Sequence, residues 1–124
     1  MRFTDKTVLV TGGGGGIGSA TVERFASEGA NVFLMDKNED HVAQTQDALD
    51  DKGISVKAFV GDVTDLADLE KIYDLIMQEG GGVDVVVNVA GGSRAGYVTT
   101  LDPDDWDDLY ALNLKSTINS CRLA

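Results

Sequence analysis

The sequence predicts one α/β domain built on an open parallel sheet with helices on both faces. Three observations carry that reading. Short β-branched runs alternate with longer stretches of helical spacing in the order β-α-β-α-β-α-β-α. The strand runs are continuously apolar, the pattern of strands covered on both faces. A chain of 124 residues, 43% hydrophobic and 25% charged, has the size and balance of a single globular domain.

Taken in order, Thr7-Val8-Leu9-Val10-Thr11 reads as a buried strand, and five glycines, Gly12 to Gly16, follow it directly. These glycines are not read as a flexible linker, because an amphipathic helix begins immediately after them. Its apolar stripe is Ile17, Ala20, Val22, Phe25 and Ala26, and Gly29 stops it after Glu28. Asn31 to Met35 forms the second strand, ending on Asp36. Glu39 to Lys52 is a polar helix anchored by Val42, Ala43 and Leu49 and closed by Gly53. Ile54 to Val60 alternates as the third strand, and Gly61-Asp62-Val63 leads away from it. Asp65 to Glu79 is the third helix, with Leu66, Leu69, Ile72, Tyr73 and Ile76 on one face. Val83 to Val89 is the most apolar strand, followed by glycine-rich sequence through Gly96. Asp102-Pro103 opens a last helix, with proline suited to its first turn, that passes Trp106, Leu109, Leu112 and Leu114 towards Ala124.

Charge narrows the classes of partner. A net charge of −11 argues against nucleic acid and anionic membranes, both of which demand clustered cations. No apolar run approaches the roughly 20 residues of a membrane span, and MRFTDKTVLV does not read as a signal peptide. Cys121, the only cysteine, excludes an internal disulfide and fits a reducing cytoplasm; it is read as a small apolar helix residue. The acidic runs Asp47–Asp50–Asp51 and Asp102 to Asp108 are read as solvated helix faces and helix starts. With His41 the only histidine, no metal site is expected.

The chemistry lies in the glycines. A pyrophosphate needs bare backbone close to it, and the helix starting near Ile17 offers unpaired N–H groups and a positive dipole end. Several glycine registers match, with Gly13, Gly15 and Gly18 fitting G-x-G-x-x-G and Gly12, Gly16 and Gly18 fitting G-x-x-x-G-x-G. The placement between strand and helix is what gives the motif weight. Ser19 and Ala20 follow Gly18, so the lysine of a nucleoside-triphosphate loop is missing. Asp36 ends the second strand 18 residues after Gly18, where a carboxylate accepts the adenosine-ribose hydroxyls and repels a 2′-phosphate. This favours NAD over NADP, although the neighbouring Lys37 could partly accommodate a phosphate. The pattern is that of a Rossmann-type sheet in the order 3-2-1-4, with a dinucleotide at the strands' C-terminal edge.

These residues are similar to the short-chain dehydrogenase/reductase family. Thr11-Gly12-Gly13-Gly14-Gly15-Gly16-Ile17-Gly18 matches that family's TGxxxGIG turn. Asp62-Val63 resembles its adenine-holding pair, with Asp62 on the amino group and Val63 against the ring. Asn88-Val89-Ala90-Gly91 resembles its NNAG motif, departing at Val89, and Ala90 and Gly91 would lie beside the nicotinamide-side ribose. Asn113 looks like the helix asparagine that completes the family's catalytic tetrad through a water. The resemblance thus implies cofactor contacts from Gly12, Gly15, Gly16, Ile17, Gly18, Asp36, Asp62, Val63, Asn88, Ala90 and Gly91.

The resemblance also implies hydride transfer between a carbonyl and an alcohol. Yet the family's serine and Tyr-x-x-x-Lys find no match among these 124 residues, since Met77, Leu101 and Leu114 stand four places after Tyr73, Tyr97 and Tyr110. Residues 1–124 are therefore expected to be a dinucleotide-binding domain, the front half of the family fold truncated before its catalytic segment, and inactive alone. A fragment, a truncated product or one piece of a split enzyme, with a second chain supplying the rest, all fit. The alternatives are a non-catalytic NAD-sensing or scaffolding module and, more remotely, a nucleoside-binding methyltransferase. The fourth strand and last helix, left without their family neighbours, predict a homodimer or larger assembly.

Overall fold

Strand β1 (Thr7–Thr11) is buried along its whole length, because it is paired on both sides and covered above and below. The structure is a computed structural model and describes residues 1–124. After β1 come α1 (Gly16–Ser27), β2 (Asn31–Asp36), α2 (Glu39–Asp50), β3 (Lys57–Val60), α3 (Leu66–Gly80) and β4 (Val85–Asn88). The chain closes with α4 (Pro103–Tyr110), a wide π turn (Ala111–Lys115) and α5 (Ser116–Leu123). The four strands are parallel in the order β3-β2-β1-β4, as the sequence predicts.

Side chains alternate across the sheet because strand geometry has a period of two. Leu9, Phe33 and Met35 point to the face covered by α3, where they meet Leu69, Ile72, Tyr73 and Ile76. Val8, Val10, Val32 and Leu34 point to the other face and meet Val22 of α1 and Val42 and Leu49 of α2. Continuous apolar strands are thus the consequence of two cores, one on each side. At the start of the sheet Asp84 accepts hydrogen bonds from the Thr7 N–H and the Lys6 ammonium, both at 2.9 Å. These two bonds hold its carboxyl below the usual carboxylate range.

Several boundaries differ from the sequence reading, each for a local reason. Strand β3 begins at Lys57 rather than Ile54, since the Gly53 and Ile54 amides are occupied closing α2 on Asp50 and Leu49. Helix α2 accordingly ends at Asp50, two residues before Lys52. Strand β4 is shorter than 83–89 in its regular part. Its pairing to β1 nevertheless extends outwards through the Asp84 N–H to Thr7 O and the Val89 N–H to Thr11 O. Ile17, Ala20 and Leu66 lie outside the cores, Ile17 being 76% exposed, because the core-facing side of each helix starts one turn later.

The last helix is continuous from Pro103 to Leu123 but contains the π turn, where the Ser116 N–H reaches back to Ala111 O. Leu109 and Leu112 are half-buried. The exposed apolar stripe is Trp106, Tyr110, Leu114 and Ile118, spaced four apart. Across the α3–α5 contact the Tyr73 hydroxyl donates to Ser120 O at 2.8 Å and lies 2.9 Å from Ser120 Oγ.

Tyr73→Phe should therefore lower unfolding stability by about 0.5–1.5 kcal/mol, the net worth of a hydroxyl hydrogen bond. Urea melts of the two proteins measure it, and an unchanged midpoint would mean that α5 is not held at this point.

Candidate functional site

The direction of the crossovers reverses between β1 and β4, and an open sheet binds its ligand outside the strand ends at such a point. A cleft of about 450 Å³ lies there. Its floor is the glycine turn (Gly12, Gly15, Gly16, Gly18, with Ile17). One wall is Asp36, Lys37, Gly61, Asp62 and Val63, and the other is Val89, Ala90, Gly91 and Leu112. Ten of the eleven residues expected to touch a cofactor line this cleft.

The turn divides its glycines between two tasks. Gly12 has φ +67°, and a Cβ on it would stand 2.7 Å from the Ala90 nitrogen. Gly18 lies so close to Gly12 O that a side chain there would overlap it. Both are demanded by backbone packing. At Gly16 a Cβ would meet nothing within 4 Å, and at Gly15 only Gly12 O at 3.6 Å. No protein atom requires those two to be bare, and both line the cleft.

Helix α1 is also the one full helix at whose start no side chain caps the backbone. Asn38, Asp65 and Asp102 cap α2, α3 and α4, whereas the Gly16, Ile17 and Gly18 amides find no acceptor. Uncapped amides at the positive end of a helix dipole form an anion site. The free amides of the turn fit a pyrophosphate.

The walls supply acceptors. Asp36 Oδ2 accepts the Gly14 N–H and Oδ1 the Asn38 N–H, each at 3.0 Å. Each carboxylate oxygen retains a lone pair, so the group can still accept two hydroxyl hydrogens. Asp62 Oδ1 accepts from the Thr64 N–H at 2.8 Å and the Thr64 hydroxyl at 2.7 Å, leaving Oδ2 without a protein partner. Burial works against the Asp62 charge, but the Thr64 hydrogen bonds and the Lys37 ammonium outweigh it and hold the carboxyl below its ordinary value. An ionised carboxylate beside the apolar Val63 suits an amino-bearing aromatic ring.

Two expected site residues are placed otherwise. Asn88 does not line the cleft; its side chain faces α5, with Nδ2 3.7 Å from Cys121 Sγ. Asn113 lies in the π turn, outside the cleft, and its amide is engaged mainly with Gly92. Nδ2 donates to Gly92 O (2.8 Å) and Leu109 O (3.0 Å), and Oδ1 accepts the Gly92 N–H at 2.9 Å. Its side chain therefore clamps the segment after β4, and Oδ1 keeps one lone pair free. Met35, Gly61 and Leu112 also line the cleft, and no motif in the sequence singles them out. Position alone could have found them, since Met35 precedes Asp36, Gly61 precedes Asp62 and Leu112 adjoins Asn113.

A family model described as short chain dehydrogenase matches residues 6–124. The chain belongs to this family. Oxidoreductase asL5 of Sarocladium schorii is 37% identical over 118 residues, covering 95% of this chain and 46% of that protein. Actinorhodin polyketide ketoreductase with NADPH superposes with a TM-score of 0.91 at 28% identity, over 98% of this chain and 47% of its own. NAD+-bound xylitol dehydrogenase also gives 0.91, at 29% identity, over 99% and 48%. The chain thus spans about half the length of the curated relatives it matches. The family uses NAD or NADP as its nucleotide cofactor.

Gly16→Val should abolish dinucleotide binding while leaving the fold intact, because its side chain projects into open space. Gly12→Val should unfold the turn itself. Thermal melts with ligand at ~100 times Kd separate the two, since binding adds about 2.7 kcal/mol to the wild type and nothing to Gly16→Val. A Gly16→Val protein still stabilised by ligand would remove the turn from the site.

Proposed function

We propose that this chain is the cofactor-binding half of an NAD-dependent short-chain oxidoreductase, acting between a carbonyl and an alcohol. The observation that carries the choice of NAD is Asp36, held in the cleft wall by two main-chain donors. A carboxylate fixed there accepts the 2′- and 3′-hydroxyls of the adenosine ribose and repels a 2′-phosphate. Lys37 lines the same wall, and its ammonium also acts on Asp62.

In this reading Gly15, Gly16 and the open α1 amides hold the pyrophosphate. Asp62 and Val63 take the adenine, and Ala90 and Gly91 lie beside the nicotinamide-side ribose. The bound dinucleotide supplies the hydride. The acid that protonates the carbonyl oxygen belongs to a serine and Tyr-x-x-x-Lys segment, on this polypeptide or a second one. Asn113 acts by fixing the segment after β4 rather than by touching substrate.

A second reading, a non-catalytic NAD-responsive module, shares the same cleft. A reducing cytoplasm suits the single unpaired cysteine. No helix is long and apolar enough to cross a membrane.

Calorimetry should find NAD binding tighter than NADP, with Asp36→Ala weakening NAD and narrowing the gap. Equal or tighter NADP binding would transfer control to Lys37.

The partner expected for the 124-residue chain is a second copy. Strand β4 has no neighbour on the side away from β1, and unpaired strand edges invite pairing. The stripe of Trp106, Tyr110, Leu114 and Ile118 lies exposed along the last helix. Light scattering at micromolar concentration should report a dimer or larger species, and a stable monomer would refute association through these surfaces.

A further inference from the structure

Gly13 and Gly14 do not line the cleft, so the ligand does not explain them. Gly13 is accounted for by the core, since a Cβ there would stand 2.7 Å from Leu34 Cβ. Gly14 is different. A Cβ on it would stand 2.9 Å from His41 Cβ, 3.1 Å from the His41 carbonyl carbon and 3.1 Å from Asp36 Oδ2. The crest of the glycine turn thus rests directly on the first turn of α2, with Asp36 between them.

We infer that Gly14 and His41 are positioning residues that fix the Asp36 carboxylate and thereby set the preference for NAD over NADP. The inference rests on the dinucleotide reading above and adds two residues to it. Asp36 is tied at one oxygen to the Gly14 N–H and at the other to the Asn38 N–H. Asn38 also caps α2 by accepting the His41 N–H on its side chain at 3.0 Å. The contact between Gly14 and His41 therefore sets the spacing between the two donors that grip the carboxylate.

A side chain at position 14 has no harmless way out. His41 Cβ is the stem of its side chain, so no rotation removes it. Either the turn lifts, stretching the Gly14–Asp36 bond, or the first turn of α2 moves, carrying Asn38 and stretching the other. In both cases the carboxylate loses one of its two fixed donors. A released carboxylate can turn away from a 2′-phosphate, and it presents its lone pairs to the ribose hydroxyls less consistently. Affinity for NAD falls, and the penalty against NADP shrinks.

The test is calorimetry with NAD and NADP on the wild type, Gly14→Ala, Asp36→Ala and the double variant. Each ratio of affinities comes from one preparation, so an inactive fraction cancels. Gly14→Ala should reduce the NAD-to-NADP ratio on the order of tenfold, the effect of one hydrogen bond to a charged group. In the Asp36→Ala background it should change the ratio little, because its effect passes through that carboxylate. Adding His41→Gly to Gly14→Ala removes the tightest contact and should restore part of the ratio. Amide exchange in the ligand-free chain gives a reading independent of the variants' folding. The Gly14 N–H should be protected in the wild type and lose protection in Asp36→Ala.

Equal weakening of both dinucleotides by Gly14→Ala would reduce the contact to a structural one and overturn the inference. So would an undiminished effect in the Asp36→Ala background, or equal exchange of the Gly14 amide in wild type and Asp36→Ala. A wild type that binds neither dinucleotide would instead overturn the underlying reading, and this inference with it.

Discussion

Where α1 begins, Gly18 lies against the carbonyl oxygen of Gly12, and Gly12 in turn lies against the backbone of Ala90 at the end of β4. Three stretches of main chain meet here with no side chain between them. Because they do, α1 starts at the very end of β1, and its first amides open onto the strand ends. A Cβ at either glycine would push α1 outward and separate β4's end from the turn. The floor and one wall of the cleft depend on this one contact. The alternating cores beneath it hold β1, β2 and β4 in register but leave the position of the helix start undetermined.

The same arrangement gives a chain of net charge −11 a site suited to an anion. The groups left free at the start of α1 are main-chain amides, whose partial charges do not depend on side-chain composition. The carboxylates in the cleft, Asp36 and Asp62, stand on its wall, Asp36 accepting the Gly14 N–H at the crest of the turn. Each accepts two protein hydrogen bonds, which partly offset its charge within the cleft. The Lys37 charge adds to the Thr64 hydrogen bonds in holding the Asp62 carboxyl below its ordinary value.

The element order, strand order and most of the cleft were legible in the sequence because they rest on period and backbone. The runs TVLVT and NVFLM can be buried only between two helical layers, and glycines between a strand and a helix have few uses. What the sequence concealed is where side chains point when their partners are remote. Asn88 and Asn113 are motif residues, yet one faces Cys121, 33 residues on, and the other clamps Gly92, 21 residues back. Ile17 has the spacing of a core residue and is exposed, because the first turn of α1 projects over the cleft instead of the sheet. The start of β3 was obscured for a different reason. Ile54 and Val56 pack on the core as a strand would, while the Gly53 and Ile54 amides are committed to closing α2.

The two sides of the cleft are built to different tightness, and this bears on how the site works. On the β1–β2 side Gly12, Gly18 and Asp36 are fixed by backbone contacts and main-chain hydrogen bonds, and the strands beneath them are buried. On the β4 side the strand is only half-buried, and residues 91–100 are exposed throughout. That segment is tied down at few points: Gly92 to Asn113, and Arg94 to Asp105 and Asp108. Both ties reach the last helix, and the π turn that carries Asn113 also carries Leu112 into the cleft. A π turn adds a residue to the helical circuit and rotates the helix beyond it, which lets one stretch of helix serve cleft and clamp together. A firmly held β1–β2 side thus stands beside a β4 side tethered at few points.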